Sequence, residues 1–360
     1  MKPFGLILAG GGGKGAYQMG AWKAMRELGV KFSAIVGVSI GSINGALIAA
    51  NQYNDAMEMW NSVTIDKGVN IESELKDADN LFSVKNYPVL LKEILKKGGI
   101  DASPTKAFLQ ERINEKAVRE SKIPFGLVTY QLSSMNPLEL FIDDIPEGEL
   151  VDYLLASSKF PGVSRIGPEG EHFLDGGVYD NAPVSMLKKR GYNHLIVVDI
   201  SSIKGYAHDE NFSCAEVVYI RPYDPEELGA AFDFSPEMIE KRMTMGYLDA
   251  KKSFGKYAGS IFYFKPVTFR SMIKRYGCDT VVELEQLAYA LGLPRLKVYK
   301  ENEFLKELKA LYLEKSKEKE EKEDEEPQGF LESIVKMWTG KRGSKNDFEK
   351  AEKLLEEIKG

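Results

Sequence analysis

Ser39 lies in Gly37-Val38-Ser39-Ile40-Gly41. A serine between two glycines at a strand-to-helix turn is the pattern of a nucleophile elbow. The glycines let neighbouring backbone pack closely, and the strained turn lifts the hydroxyl above the sheet. The flanks supply that context: apolar Ala34 to Val38 reads as a strand, and residues 40–52, rich in small apolar side chains, read as a helix. Taken by itself, Ser39 also suits an ordinary helix N-cap. A second pattern, Gly10-Gly11-Gly12-Gly13-Lys14-Gly15, follows the apolar stretch 4–9 and precedes a helix over 16–28 that Gly29 closes. Its unobstructed N–H groups, aimed from a helix N-terminus, suit a small anion. The third is Asp175-Gly176-Gly177 after the short strand His172-Phe173-Leu174. On its own this is a plain turn. Together the three supply a nucleophile, an oxyanion cradle and a base.

Competing chemistries fail on particular residues. The glycine loop satisfies G-x-G-x-x-G, but strand 2 ends Val36-Gly37-Val38-Ser39 with no acidic residue to hold a ribose. Gly15 is followed by Ala16-Tyr17, which breaks the phosphate-loop pattern. Two cysteines, Cys214 and Cys278, and three histidines, His172, His194 and His208, form no metal-binding motif, and no cofactor is expected. A net charge of −6, with only short basic clusters such as Lys188-Lys189-Arg190, argues against nucleic acid. An ordinary α/β-hydrolase carries several strands before its elbow and uses the order Ser, acid, His. Here a single strand and helix precede the elbow strand, and His194 and His208 sit in no recognisable loop context. A Ser39–Asp175 dyad fits better than a triad. Asp175 then needs partial desolvation, because a free aspartate, pKa about 3.9, is a weak base.

These residues must be positioned by a folded scaffold, and the 360-residue chain, 43% apolar and 28% charged, has the composition of one. Strand–helix–strand–helix alternation over residues 4–52 predicts a doubly wound α/β fold with a mostly parallel sheet flanked by helices. Residues 53–103 are more polar, with an amphipathic piece at 88–97. Ser103-Pro104 opens a helix to about residue 120. Strands are expected near 125–130, 138–142, up to Leu174, at 195–198 and at 217–220. Helices are expected near 149–157, 184–190, 235–254, 280–291 and 300–313. Residues 314–326 hold eight acidic and four basic residues and no apolar one, a solvated helix or open linker. No apolar stretch approaches 18 residues and no targeting segment stands out. The expected location is therefore cytoplasmic, with any membrane contact made from the surface.

The chain resembles the patatin-like phospholipases, bacterial type. The resemblance rests on the loop Gly10–Gly15, the elbow Gly37–Gly41 and Asp175-Gly176-Gly177. It extends to Ala156-Ser157-Ser158-Lys159-Phe160-Pro161-Gly162, Asn181-Ala182-Pro183 and the stretch Asp101–Leu109. It covers roughly residues 4–200, and residues 216–255 are similar to the extension of bacterial members. Two departures stand in the loop, Ala9-Gly10 where many members have Asp-Gly, and Lys14 where arginine is common. The resemblance implies a patatin-like lipase fold over residues 1–205 and a C-terminal extension over 206–313, and the charge and apolar patterns beyond it give a charged linker over 314–327 and an amphipathic tail over 328–360. It implies a lipid acyl hydrolase working through Ser39 and Asp175 without a metal. Gly11, Gly12 and Gly13 would hold the oxyanion, with Gly10, Lys14 and Gly15 completing the loop. Lys14 orients the loop, faces a head group, or is simply solvated, and Asn181 orders the Asp175 turn. For the acyl chain, the candidates are the 88–97 helix, Leu154, Leu155 and Phe160. Alternatives are an esterase or thioesterase acting on soluble acyl substrates, and a non-catalytic lipid-binding module.

In the tail, Phe330, Leu331, Ile334, Val335 and Trp338 form one helical stripe, with Lys336, Lys341, Arg342 and Lys345 nearby. Such a stripe suits a peripheral membrane contact. It equally suits docking on the body of the protein or on a second chain.

Overall fold

The computed structural model describes residues 2–63, 103–158, 173–201, 215–320 and 353–355, and these fall into two compact units, Met1–Ala250 and Lys251–Gly360. In the first, β1 (Phe4–Leu8) is buried at every position, as a central strand covered on both faces must be. It pairs in parallel with β2 (Phe32–Val38) on one side and β6 (His194–Val198) on the other. Beyond these lie β3 (Phe125–Gln131), parallel to β2, and β7 (Glu216–Ile220), parallel to β6. One edge is finished by β4 (Asn136–Phe141), antiparallel to β3, giving the order β4-β3-β2-β1-β6-β7. The expected mostly parallel α/β sheet is what forms.

One strand matters more than its length suggests. β3 pairs with β2 only up to Val128, opposite Val38, and beyond that point keeps β4 on its other edge while the edge facing β2 is open. The short β5 (Phe173–Asp175) takes up the edge that β2 has vacated, antiparallel to β3, with Asp175 opposite Thr129. Asp175 is thereby set one residue step beyond the end of β2, beside Ser39. Sheet register, rather than any local motif, brings the two patterns together.

Helix α1 (Ala16–Glu27) ends in a Schellman motif: Gly29, at φ 70°, donates to the Arg26 carbonyl and Val30 to that of Met25. α2 (Ile40–Ala49) is buried along nearly its whole length, and Gly45, whose Cβ would meet Phe125 at 3.0 Å, shows how closely it lies on the sheet. A third helix, α3 (Tyr53–Ser62), falls in a stretch whose polarity gave no helix in the sequence. It buries only Ala56, Met59 and Trp60, an i, i+3, i+4 face too narrow to stand out. The single helix expected over 103–120 is two, α4 (Ser103–Gln110) and α5 (Glu115–Arg119). Asn114 makes the break by accepting the Ala117 N–H at 3.0 Å, an N-cap that starts a new helix. α6 (Leu150–Ser157), α7 (Val184–Lys188) and α8 (Pro236–Ser253) fall where the pattern places them.

The second unit packs Phe262, Phe264, Tyr299 and Phe304 edge to face around a two-stranded parallel pair, β8 (Tyr263–Phe264) and β9 (Val298–Tyr299). Three helices surround them: α9 (Pro266–Tyr276), α10 (Cys278–Ala290) and α11 (Glu301–Glu320). α9 falls where the sequence expectation has no helix, although Pro266 at its first turn and Phe269, Met272, Ile273 and Tyr276 along one face carry its signature. α11 continues past Leu313 into the charged stretch. Leu355 is buried in this same core, whereas the Phe330–Trp338 stripe lies outside the described residues.

Candidate active site

Ser39 sits at φ 54° and ψ −129°, a region that side-chain-bearing residues seldom occupy. Two close backbone approaches enforce this turn. A Cβ on Gly37 would lie 2.2 Å from the Gly41 carbonyl oxygen, and one on Gly41 would lie 2.3 Å from that of Leu8. Both glycines of the elbow are therefore spatial requirements. Gly37→Ala, with no room for its methyl, should cost several kcal/mol, at least about 2 by analogy with overpacked cores. A thermal melt should show the loss, and a variant as stable as wild type would contradict the tight elbow. The Ser39 N–H donates to Ser157 Oγ at 3.0 Å, and Ser157 Oγ donates to the Val128 carbonyl at 2.6 Å, tying the elbow to β3.

The Ser39 hydroxyl shares a cavity with the Asp175 carboxyl and acts on it, and that carboxyl accepts the Gly177 N–H at 2.7 Å. Burial pushes this carboxyl above its usual range, and the Ser39 hydroxyl and the Gly177 N–H pull it part of the way back. Gly176 has no space for a side chain, since its Cβ would lie 2.2 Å from the Val128 carbonyl oxygen. The turn Asp175-Gly176-Gly177 is thus pressed against the strand that also holds the elbow.

The glycine loop is held at both ends, which decides which of its N–H groups remain for a ligand. Asn181 grips Gly10 twice: Oδ1 accepts the Gly10 N–H at 3.1 Å and Nδ2 donates to its carbonyl at 3.2 Å. Gln18 Nε2 donates to the Ala9 carbonyl at 2.6 Å, and Asn44 Nδ2 donates to that of Gly15 at 3.1 Å. Asn44 also bonds Gln18 and accepts from Trp60 Nε1, completing a fully buried network under the loop. Gly13, expected among the anion donors, gives its N–H to the Ala231 carbonyl at 2.6 Å. Gly15 packs against Ile40 and Trp60. Among the described residues, no acceptor takes the N–H groups of Gly11 and Gly12, and both glycines line the cavity that holds Ser39 and Asp175.

Lys14 also lines that cavity but is 6% exposed, so the solvated reading of this residue falls. Burial, and then the nearby Arg242 guanidinium, hold its ammonium below the ordinary lysine range. The cavity measures about 470 Å³, and its apolar wall comes from Ile40, Ile43, Val178, Ile200, Ala231 and Phe232. Leu154 and Leu155, expected to flank an acyl chain, are instead buried in the core. Phe160 and the 88–97 segment lie outside the described residues. Ile200, Ser201, Ala231 and Phe232 had no signal in the sequence, because chain-distant segments reach the site only through the sheet order. Asp199 fixes the first of these segments, accepting Ser201 Oγ at 2.6 Å and the Tyr219 hydroxyl.

Of the histidines, His194 opens β6 at the end of the sheet opposite Ser39, stacked on Phe4 with Nδ1 3.1 Å from the Pro3 carbonyl oxygen. His172 and His208 lie outside the described residues.

A strained serine at a strand-to-helix elbow, an adjacent half-buried carboxyl and a glycine loop over one apolar cavity form the constellation of a serine hydrolase on an α/β sheet. The family model for patatin-like phospholipase matches residues 6–188, and the chain belongs to that family. It is similar to lysophospholipase NTE1 of Kluyveromyces lactis, 26% identical over 294 residues that make up 80% of this chain and 19% of that protein. NTE1 of Eremothecium gossypii is likewise 26% identical, over 271 residues covering 74% of this chain and 16% of that protein. This chain thus spans less than a fifth of the length of the curated relatives it matches. Among solved structures, VipD from Legionella pneumophila aligns with 99% of this chain and 84% of its own at 15% identity and a TM-score of 0.45. No helix among the described residues is long and apolar enough to cross a membrane.

Proposed function

We propose that this protein hydrolyses carboxylic esters of lipids through Ser39 and Asp175. The observation that carries the reading is that these two side chains lie together in one mostly apolar cavity, close enough for the Ser39 hydroxyl to act on the carboxyl, and that the N–H groups of Gly11 and Gly12, which no described residue accepts, open onto it. Asp175 takes the proton as Ser39 Oγ attacks the acyl carbonyl. The developing oxyanion is held by Gly11 and Gly12, a contribution worth about 10²–10³ in rate per donor. Collapse of the tetrahedral adduct breaks the ester C–O bond, and the leaving alkoxide takes the proton back from Asp175. Water, deprotonated by Asp175, then attacks the acyl-serine, releasing the fatty acid and regenerating Ser39. The mostly apolar lining suits an acyl chain better than a polar substrate.

Phospholipid, lysophospholipid, triglyceride and acyl-CoA, assayed side by side, test the substrate class. Lipid oxyesters should be turned over fastest. Preference for acyl-CoA or soluble esters would favour a thioesterase or esterase, and binding of lipid without turnover would favour a lipid-binding module.

A further inference from the structure

α8 carries a fully buried arginine, Arg242, whose hydrogen bonds go to main-chain carbonyls. Nε donates to Leu228 at 2.8 Å, Nη2 to Ala230 at 2.7 Å, and Nη1 to Asp233. One planar guanidinium thus fastens three points of the segment 228–233. Ala231, in the middle of that segment, accepts the Gly13 N–H at 2.6 Å. The approach leaves no slack: a Cβ on Gly12 would lie 2.5 Å from the Ala231 carbonyl oxygen, and one on Gly13 would lie 2.9 Å from Arg242 Nη1. With Gly13 committed to Ala231 and Gly10 to Asn181, the loop is fixed on either side of Gly11 and Gly12.

We propose that Arg242 is a positioning residue for the oxyanion cradle, holding the segment 228–233 so that the Ala231 carbonyl orients the glycine loop from behind. This rests on the reading of Gly11 and Gly12 as oxyanion donors. The fork geometry is what a lysine cannot reproduce, since a single ammonium on a flexible stem does not span three carbonyls in one plane. Arg242 touches no reacting atom. Its effect falls on the transition state, where a loop displaced by a fraction of an ångström costs rate without weakening ground-state binding.

The test uses the full-length protein with Arg242→Gln and Arg242→Lys, the second keeping the charge but not the fork. Three readouts are taken: kcat and KM on the best lipid ester, affinity for a lipid trifluoromethyl ketone, and amide hydrogen exchange in the peptide spanning residues 9–16. The ketone forms an anionic adduct with Ser39, so it reports on the cradle directly. For both variants kcat should fall about 10- to 100-fold with KM changed less than about twofold. Ketone affinity should fall in parallel, and exchange at Gly13 should accelerate. Unchanged kcat and ketone affinity beside a lowered Tm would overturn the proposal, leaving Arg242 purely structural. Full rescue by lysine would overturn it too, since charge and not the fork would then matter. If Arg242→Gln does not fold, the lysine variant decides by the same readouts. Should wild type hydrolyse no ester, the proposed function fails, and the exchange measurement still judges the clamp: unaltered exchange at Gly13 sinks it.

Discussion

Ser39→Ala should leave the protein folded and lower kcat by roughly 10⁴-fold or more, the scale seen when a serine nucleophile is removed. The hydroxyl is small and is not what holds the elbow. Ser157 bonds the Ser39 backbone N–H, and the Ser39 carbonyl accepts from Ser42 Oγ at 2.6 Å. Alanine keeps both main-chain contacts, so the melting temperature should move by only a few degrees. Ser39→Gly should melt higher than Ser39→Ala, because glycine occupies φ 54° without the Cβ strain that serine or alanine carries there. A fluorophosphonate probe should label wild type and neither variant. Hydrolysis retained by Ser39→Ala would end the enzymatic reading outright. Loss of folding would mean that the hydroxyl, rather than the glycines on either side, supports the turn.

Local patterns told most about this site, and distant contacts told least. The elbow was legible because its requirements are short-range: two glycines with no room for a side chain, an apolar strand before and a small-residue helix after. The same holds for Gly29, Asp175 and the strands of the parallel sheet, whose continuous apolar runs mark them as buried on both faces. The Asn114 cap was written in the sequence, but the polar residues around it resemble one continuing helix. α3 is hard to read in the sequence because one tryptophan and two smaller side chains anchor ten residues. The neighbours that decide which glycine N–H groups stay available, Ala231 and Arg242, were invisible for a different reason. They lie more than two hundred residues from the loop they support, and nothing in their own surroundings distinguishes them from ordinary helix and turn residues. They belong to the compact unit that ends at Ala250 and lie beyond the 1–205 stretch that the motifs delimit. Motifs marked where Ser39 and Asp175 stand, while the sheet order determined what closes around them.

Asp175→Asn should lower kcat by about 10²–10⁴-fold, the usual contribution of a positioned general base, while leaving the protein at least as stable as wild type at neutral pH. Both halves follow from the same carboxyl. Burial raises its pKa above that of the unfolded chain, with the Ser39 hydroxyl and the Gly177 N–H opposing. Above the unfolded value the folded state holds the proton more tightly, so stability falls as pH rises from there through the raised value. At pH 7 the ionised group is a net cost to folding, which a neutral amide of the same size removes. Catalysis runs the other way: only the ionised carboxylate accepts the Ser39 proton, so kcat/KM should fall as pH drops through the raised pKa. That acid limb should lie higher than a free aspartate would give, and it should vanish from the residual activity of Asp175→Asn. His194→Gln should change neither rate nor profile, because His194 stands at the opposite end of β6 against Phe4. Substituting His172 or His208 by glutamine should likewise leave the acid limb in place. If any one of the three histidine variants lost as much activity as Asp175→Asn, a triad would replace the dyad. If Asp175→Asn melted well below wild type, the carboxylate would be holding the turn against β3, and the kinetic loss would report on misfolding rather than on a missing base.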